Sequence, residues 1–199
     1  MMRILSVVLF IFFSLNAYST TLLVLGDSLS AGYRMPAEKS WPVLLEPILI
    51  AQGHEIEVVN ASISGDTTGN GLARLPQLLQ RHQPDYVIIE LGANDGLRGF
   101  PPKTIRNNLR QMITQIHDQG AQALLMQIRI PPNYGKRYSD SFSQIYPALS
   151  QQYEAPLLPF FLEQVILKPE WMMEDGLHPT SEAQPWIAAF MASELAPHL

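Results

Sequence analysis

Thr21-Leu22-Leu23-Val24-Leu25-Gly26-Asp27-Ser28-Leu29-Ser30 is the stretch on which the fold turns. Its first five residues form an unbroken apolar run, the pattern of a strand buried on both faces. A serine just beyond such a strand stands at the carboxyl end of a sheet, where open α/β folds place their sites. Far downstream, Asp175-Gly176-Leu177-His178-Pro179 sets an acid and a histidine three residues apart. Serine, aspartate and histidine, in that order, are a full set of parts for nucleophilic acyl transfer. Gly, Asp and Ser are also common turn formers, so the first stretch carries weight only together with the second.

Working outward, apolar segments suited to strands recur at residues 21–25, 56–60, 86–91, 123–127 and 156–158. Helical stripes fall between them. Residues 41–52 place Trp41, Leu44, Leu45, Ile48 and Leu49 on one face, with Pro47 expected to disturb the middle. Residues 71–82 and 104–119 carry similar stripes, and residues 140–153 and 181–195 read as helices as well. Strands alternating with helices predict an α/β fold with a five-stranded parallel sheet covered on both faces. Pro131-Pro132-Asn133-Tyr134-Gly135 interrupts the pattern and reads as a surface loop after the fourth strand.

Length and composition bound the possibilities. A chain of 199 residues favours one domain with a core large enough to need no staples. The net charge of −5 and the lack of a long charge run argue against a broad nucleic-acid surface. There is no cysteine, which excludes a thiolate nucleophile, a cysteine zinc site and a disulfide. The first residues read as a secretory leader. Met1-Met2-Arg3 is positively charged, residues 4–15 are apolar but for Ser6 and Ser14, and Asn16-Ala17-Tyr18-Ser19 offers small residues at a cleavage site. Cleavage after Ser19 is expected, with Ala17 the second choice. The apolar run falls short of the ~20 residues a spanning helix needs. Residues 1–19 are thus expected to be a signal peptide and residues 20–199 a single domain, periplasmic or secreted.

Four blocks meet where this architecture gathers its loops. Ser28 follows the first strand, Gly65 the second and Asn94 the third, while Asp175 and His178 precede the last helix. His178 is the candidate base for the Ser28 hydroxyl, and Asp175 would orient the imidazole and stabilise its charged form. The Ser28 and Gly65 backbone N–H groups and the Asn94 amide could donate to an oxyanion. Each residue also has a bland reading. Ser28 serves as a helix cap, Gly65 and Asn94 as turn residues with positive φ, and His178 as a loop residue. It is their joint occurrence, in order and at strand ends, that favours the chemistry.

These blocks resemble those of the SGNH, or GDSL, hydrolase superfamily: Gly26-Asp27-Ser28-Leu29-Ser30, Gly65, Gly92-Ala93-Asn94-Asp95 and Asp175-Gly176-Leu177-His178. Further stretches, among them residues 71–76 and 125–129, are similar to the bacterial multifunctional acyl-CoA thioesterase, protease and lysophospholipase group. The resemblance spans essentially the whole mature chain and departs from the pattern at no catalytic position; Ala93 stands where relatives often have Gly. It implies a flavodoxin-like three-layer fold and cofactor-free esterase or thioesterase activity in the periplasm. Ser28, Asp175 and His178 would form the triad, and Gly65, Asn94 and the Ser28 amide the oxyanion hole. It also implies that the loop of Gly96, Leu97, Arg98, Gly99, Phe100 and Pro101 moves as acyl chains bind. Pro131 and Tyr134 could form an apolar rim for such a chain.

The remaining histidines show no metal-ligand spacing, and HExxH is absent. A phosphate loop, a dinucleotide fingerprint and the Gly-x-Ser-x-Gly elbow are absent too. The expected partners are small acyl esters or thioesters, with no nucleic acid, metal or lasting membrane anchor, and the chain is expected to be a monomer. Against a broad esterase and thioesterase stand two alternatives: a carbohydrate O-acetylesterase, and a lipid-binding protein that has lost catalysis.

Overall fold

The structure, a computed structural model, describes residues 19–199. Residues 1–18 of the expected leader lie outside the described residues. The apolar runs form five parallel strands: β1 (Thr20–Gly26), β2 (Ile56–Asn60), β3 (Tyr86–Glu90), β4 (Gln122–Met126) and β5 (Leu157–Leu158). They lie in the order β2-β1-β3-β4-β5, with Leu22 opposite Val58 on one side and Tyr86 on the other. Central position demands burial on both faces, and Leu22, Leu23, Val24 and Leu25 have no solvent exposure. In this order the chain reverses direction across the sheet between β1 and β3, and the crevice outside their carboxyl ends is where such folds bind ligands.

Nine α-helices connect and cover the sheet among the described residues: α1 (Ser28–Ala31), α2 (Trp41–Ala51), α3 (Thr68–His82), α4 (Ala93–Leu97), α5 (Pro102–Asp118), α6 (Lys136–Ser143), α7 (Ile145–Tyr153), α8 (Leu162–Val165) and α9 (Gln184–Leu195). One outer layer pairs α2 with α9; the other sets α5 between α3 and α7. The stripes anticipated from the sequence face inward: Ile105, Leu109, Met112, Ile113 and Ile116 of α5 are all fully buried.

Proline chemistry explains where the helices depart from expectation. Pro47 does not break α2. It deprives only the Val43 carbonyl of a donor, and Val43 is exposed, so water can take that role. The single helix expected over residues 140–153 is instead two, parted at Gln144. Pro147 has no N–H for the Ser143 carbonyl, and the Gln127 side-chain amide bonds that carbonyl instead, at 3.2 Å. The last helix begins at Gln184, after a 3₁₀ turn over Ser181–Ala183. Among the described residues no helix is long and apolar enough to cross a membrane.

Candidate active site

The site is built from turns that begin where the strands end. β1 runs directly into α1, whose N-cap is Asp27, its side chain accepting from the Leu29 N–H at 3.0 Å. Ser28 is therefore not the cap but the first helical residue, its side chain released toward the crevice. Asn94 lies in the first turn of α4 and has helical backbone, not positive φ. Gly65 does have positive φ, +87°, with open space where a Cβ would stand. Asp175 and His178 sit on a hairpin closed by Met173 N–H to the His178 carbonyl and Thr180 N–H to the Trp171 carbonyl, both 2.8 Å. Gly176, at φ +65°, lets the tip turn back.

That turn brings the predicted residues together across 150 positions of sequence. His178 Nε2 is 2.9 Å from Ser28 Oγ, and His178 Nδ1 is 2.8 Å from Asp175 Oδ2. The second Asp175 oxygen accepts from the Leu177 and His178 backbone N–H groups at 2.9 and 3.0 Å. Partial burial opposes ionisation of Asp175. The hydrogen bonds from the Leu177 amide, the His178 ring and the His178 amide outweigh it and hold the pKa at about 2. The carboxylate is thus ionised throughout the range in which an imidazole exchanges protons. Tyr33 stacks on the imidazole, ring centroids 4.1 Å apart.

Neither the Ser28 nor the Gly65 backbone N–H has an acceptor among the described residues, so both remain available to a ligand. Asn94 is different. Its amide nitrogen donates to Asp27 Oδ2 at 3.0 Å and to the Asp66 carbonyl at 2.9 Å, which occupies both of its hydrogens. Arg74 secures the same loop from α3, pairing with Asp66 at 2.7 Å and also bonding the Ala61 carbonyl. Asp95 anchors α4 to α3 by accepting from the Thr68 N–H and hydroxyl at 2.8 and 2.6 Å.

The sequence reading missed a buried acid pair beneath the nucleophile. Glu90, at the end of β3, is fully buried; one oxygen accepts from Ser30 Oγ at 2.7 Å and the Asp27 N–H at 3.3 Å, and the other has no partner among the described residues. Ser30 in turn accepts from the Trp41 ring nitrogen at 3.2 Å. Burial, then the neighbouring Asp27 charge, drives the Glu90 pKa well up. Burial likewise pushes Asp27 to about 7, although its bonds from Leu29 and Asn94 pull the other way. Both folded-state values lie above those of the unfolded chain, so the folded state holds protons that the unfolded chain has released. Stability is therefore fully present below the ordinary carboxylate range and declines as pH rises through about 7. The midpoint of thermal unfolding, followed by circular dichroism, should fall between about pH 5 and pH 8. Glu90→Gln should flatten that slope, since it removes one of the two carboxyl groups that hold a proton in the folded state and release it on unfolding. An identical slope in the variant would rule out the pair as its source.

A cavity of about 410 Å³ opens beside Ser28. Leu29, Leu97, Ile130, Pro131, Phe160 and Leu162 give it an apolar wall. Of the residues anticipated for substrate, Leu97 and Pro131 line it; Gly96, Arg98, Gly99, Phe100, Pro101 and Tyr134 do not. Gly96 is instead buried in packing, with Ile130 and Phe142 where a side chain would be. Tyr134 and Tyr138 tie the loop down, donating to the Leu97 and Phe100 carbonyls at 2.8 and 2.7 Å.

An acidic residue, a histidine and a serine in line at the mouth of an apolar cavity, on this sheet order, describe a serine hydrolase site. Comparison with known proteins agrees. The GDSL-like lipase/acylhydrolase family matches residues 24–184, and the chain belongs to that family. It is 66% identical over 202 aligned positions to an arylesterase of Vibrio mimicus, covering all of both chains. It is 56% identical over 181 positions to thioesterase 1/protease 1/lysophospholipase L1 of Escherichia coli K12, covering 91% of this chain and 86% of that one. The crystal structure of the psychrotrophic esterase EstA from Pseudoalteromonas sp., inhibited by monoethylphosphonate, superposes with a TM-score of 0.87 at 42% identity, over 90% of this chain and 98% of that one.

Proposed function

We propose that this acylhydrolase cleaves acyl thioesters, lysophospholipids and small carboxylic esters through an acyl-enzyme on Ser28. One observation carries the assignment: the relay from Asp175 through His178 to Ser28 at the entrance of an apolar cavity. Ser28 Oγ attacks the acyl carbonyl as its proton passes to His178 Nε2. Asp175 keeps its negative charge and stabilises the imidazolium across the Nδ1 bond. The oxyanion takes hydrogen bonds from the Ser28 and Gly65 N–H groups and from Asn94. Its collapse expels the thiol or alcohol, which His178 protonates. Water, activated by the same histidine, then attacks the acyl-enzyme, frees the acid and restores Ser28.

The cavity lies within the ~300–1,000 Å³ typical of small-molecule sites, and its lining suits an acyl chain better than a sugar. The deciding experiment compares kcat/KM on acyl-CoA and p-nitrophenyl esters from acetyl to palmitoyl, with Ser28→Ala as the blank. A rise toward medium and long chains is expected. Activity confined to acetyl esters would favour the carbohydrate O-acetylesterase, and no activity at all the lipid-binding protein. The leader-like residues 1–19 support export to the periplasm, and the size and fold support a monomer.

A further inference from the structure

Seven large apolar side chains stand exposed among the described residues, and their placement is uneven. Two, Val43 and Ile50, lie on α2. The other five sit on loops at the carboxyl edge of the sheet, around the entrance to the site. Ile63 (51% exposed) follows β2, and its N–H bonds the Gly26 carbonyl at the end of β1. Phe100 (36%) follows α4; Ile166 (53%) and Leu167 (72%) follow α8; Leu177 (41%) is in the hairpin that carries His178. Ile166 and Leu177 also line the cavity, so its apolar wall continues outward to solvent, beside the exposed Arg129–Glu163 ion pair that lines it too.

We infer that this edge docks on a phospholipid surface, so that an acyl chain passes from the lipid into the cavity without crossing water. The choice of a lipid surface rests on the esterase reading, because the substrates proposed there are amphiphiles. The arrangement favours lipid over a protein partner. The five side chains come from four separate loops and stand as studs around the cavity mouth, and two of them, Ile166 and Leu177, belong to the cavity lining itself, so a surface that carries acyl chains would lie directly against the path into the site. Studs of this kind gain by entering the headgroup and acyl boundary, where each sheds its water independently. Charge does not select an anionic surface. Arg98 and Lys168 share this edge with Glu170 and Glu174, a mixture that suits zwitterionic headgroups.

The test is flotation of the purified protein with phosphatidylcholine vesicles, wild type against the double variant Ile63→Gln, Leu167→Gln. Neither residue lines the cavity, and glutamine removes apolar surface without adding charge. The wild type should float with the vesicles, and the bound fraction of the variant should fall by about tenfold or more. Hydrolysis of a soluble p-nitrophenyl ester by the variant should stay within about twofold of wild type, as surface changes allow. A wild type that stays in solution, or a variant that floats equally well, would overturn the inference. So would sedimentation without vesicles showing a dimer that the substitutions dissolve, since the studs would then join two copies of this chain. Failure of the wild type on the soluble ester would instead strike at the proposed function, with flotation still reading the docking directly.

Discussion

Ser28→Ala and His178→Ala should each lower kcat/KM by roughly 10⁴–10⁶-fold, and the double variant should be no worse than either alone. The reason is that the two side chains act as one unit. With Nε2 at 2.9 Å, the imidazole is the only general base within reach of Ser28 Oγ among the described residues. Without it the hydroxyl keeps its proton and is a poor nucleophile. Without the hydroxyl, the base has nothing to activate. Asp175→Asn should lose roughly 10⁴-fold. It keeps one oxygen for the Leu177 and His178 amides, so the hairpin survives, but it offers no charge to the imidazolium. The low Asp175 pKa implies that this charge is present at every pH at which the enzyme would be assayed. Steady-state kinetics on a soluble ester, with fluorophosphonate labelling of Ser28 as an independent readout, checks all three. A Ser28→Ala enzyme retaining half the wild-type rate would end the assignment.

Most of the fold was legible because the sheet is parallel and doubly covered, a state that demands unbroken apolar runs. Residues 21–25 and 56–60 were read almost to the residue, and the order of blocks placed Ser28, Gly65, Asn94, Asp175 and His178 at one edge. The sequence was silent where partners are remote. Glu90 falls inside an apolar segment, and an ionisable side chain in a strand buried on both faces requires a partner, which makes it a usable signal. Its partners, Ser30 and the Asp27 amide, lie 60 and 63 positions away. Arg74 sits on a helix whose stripe of leucines was read for packing alone, yet it ties down the loop that carries Gly65 and Asp66. Tyr33 reaches His178 only because the hairpin folds over it. The split at Gln144 needed both the missing N–H of Pro147 and a side chain, Gln127, ready to take the freed carbonyl.

Asn94→Ala should lower kcat by about 10²–10³-fold while leaving KM within a few-fold of wild type, because a donor to the oxyanion acts on a charge that the ground state lacks. The resting geometry adds a condition. Both Asn94 hydrogens are engaged, one by Asp27 Oδ2 and one by the Asp66 carbonyl, whereas the Ser28 and Gly65 N–H groups have no acceptor among the described residues. As charge develops on the substrate oxygen, one Asn94 bond must be shared or given up. The Asp66 loop is held by Arg74, so the Asp27 bond is the one with freedom to yield. Asp27→Asn should therefore act through the same step. An asparagine there offers one acceptor where Asp27 offers two, so either the Leu29 cap or the Asn94 bond is lost. Asp27→Asn should lower kcat less than Asn94→Ala does, again with KM nearly unchanged. The two losses should be less than additive in the double variant. A drop carried by KM would mean that Asn94 serves ground-state binding. Full additivity would mean that Asp27 does not act through Asn94.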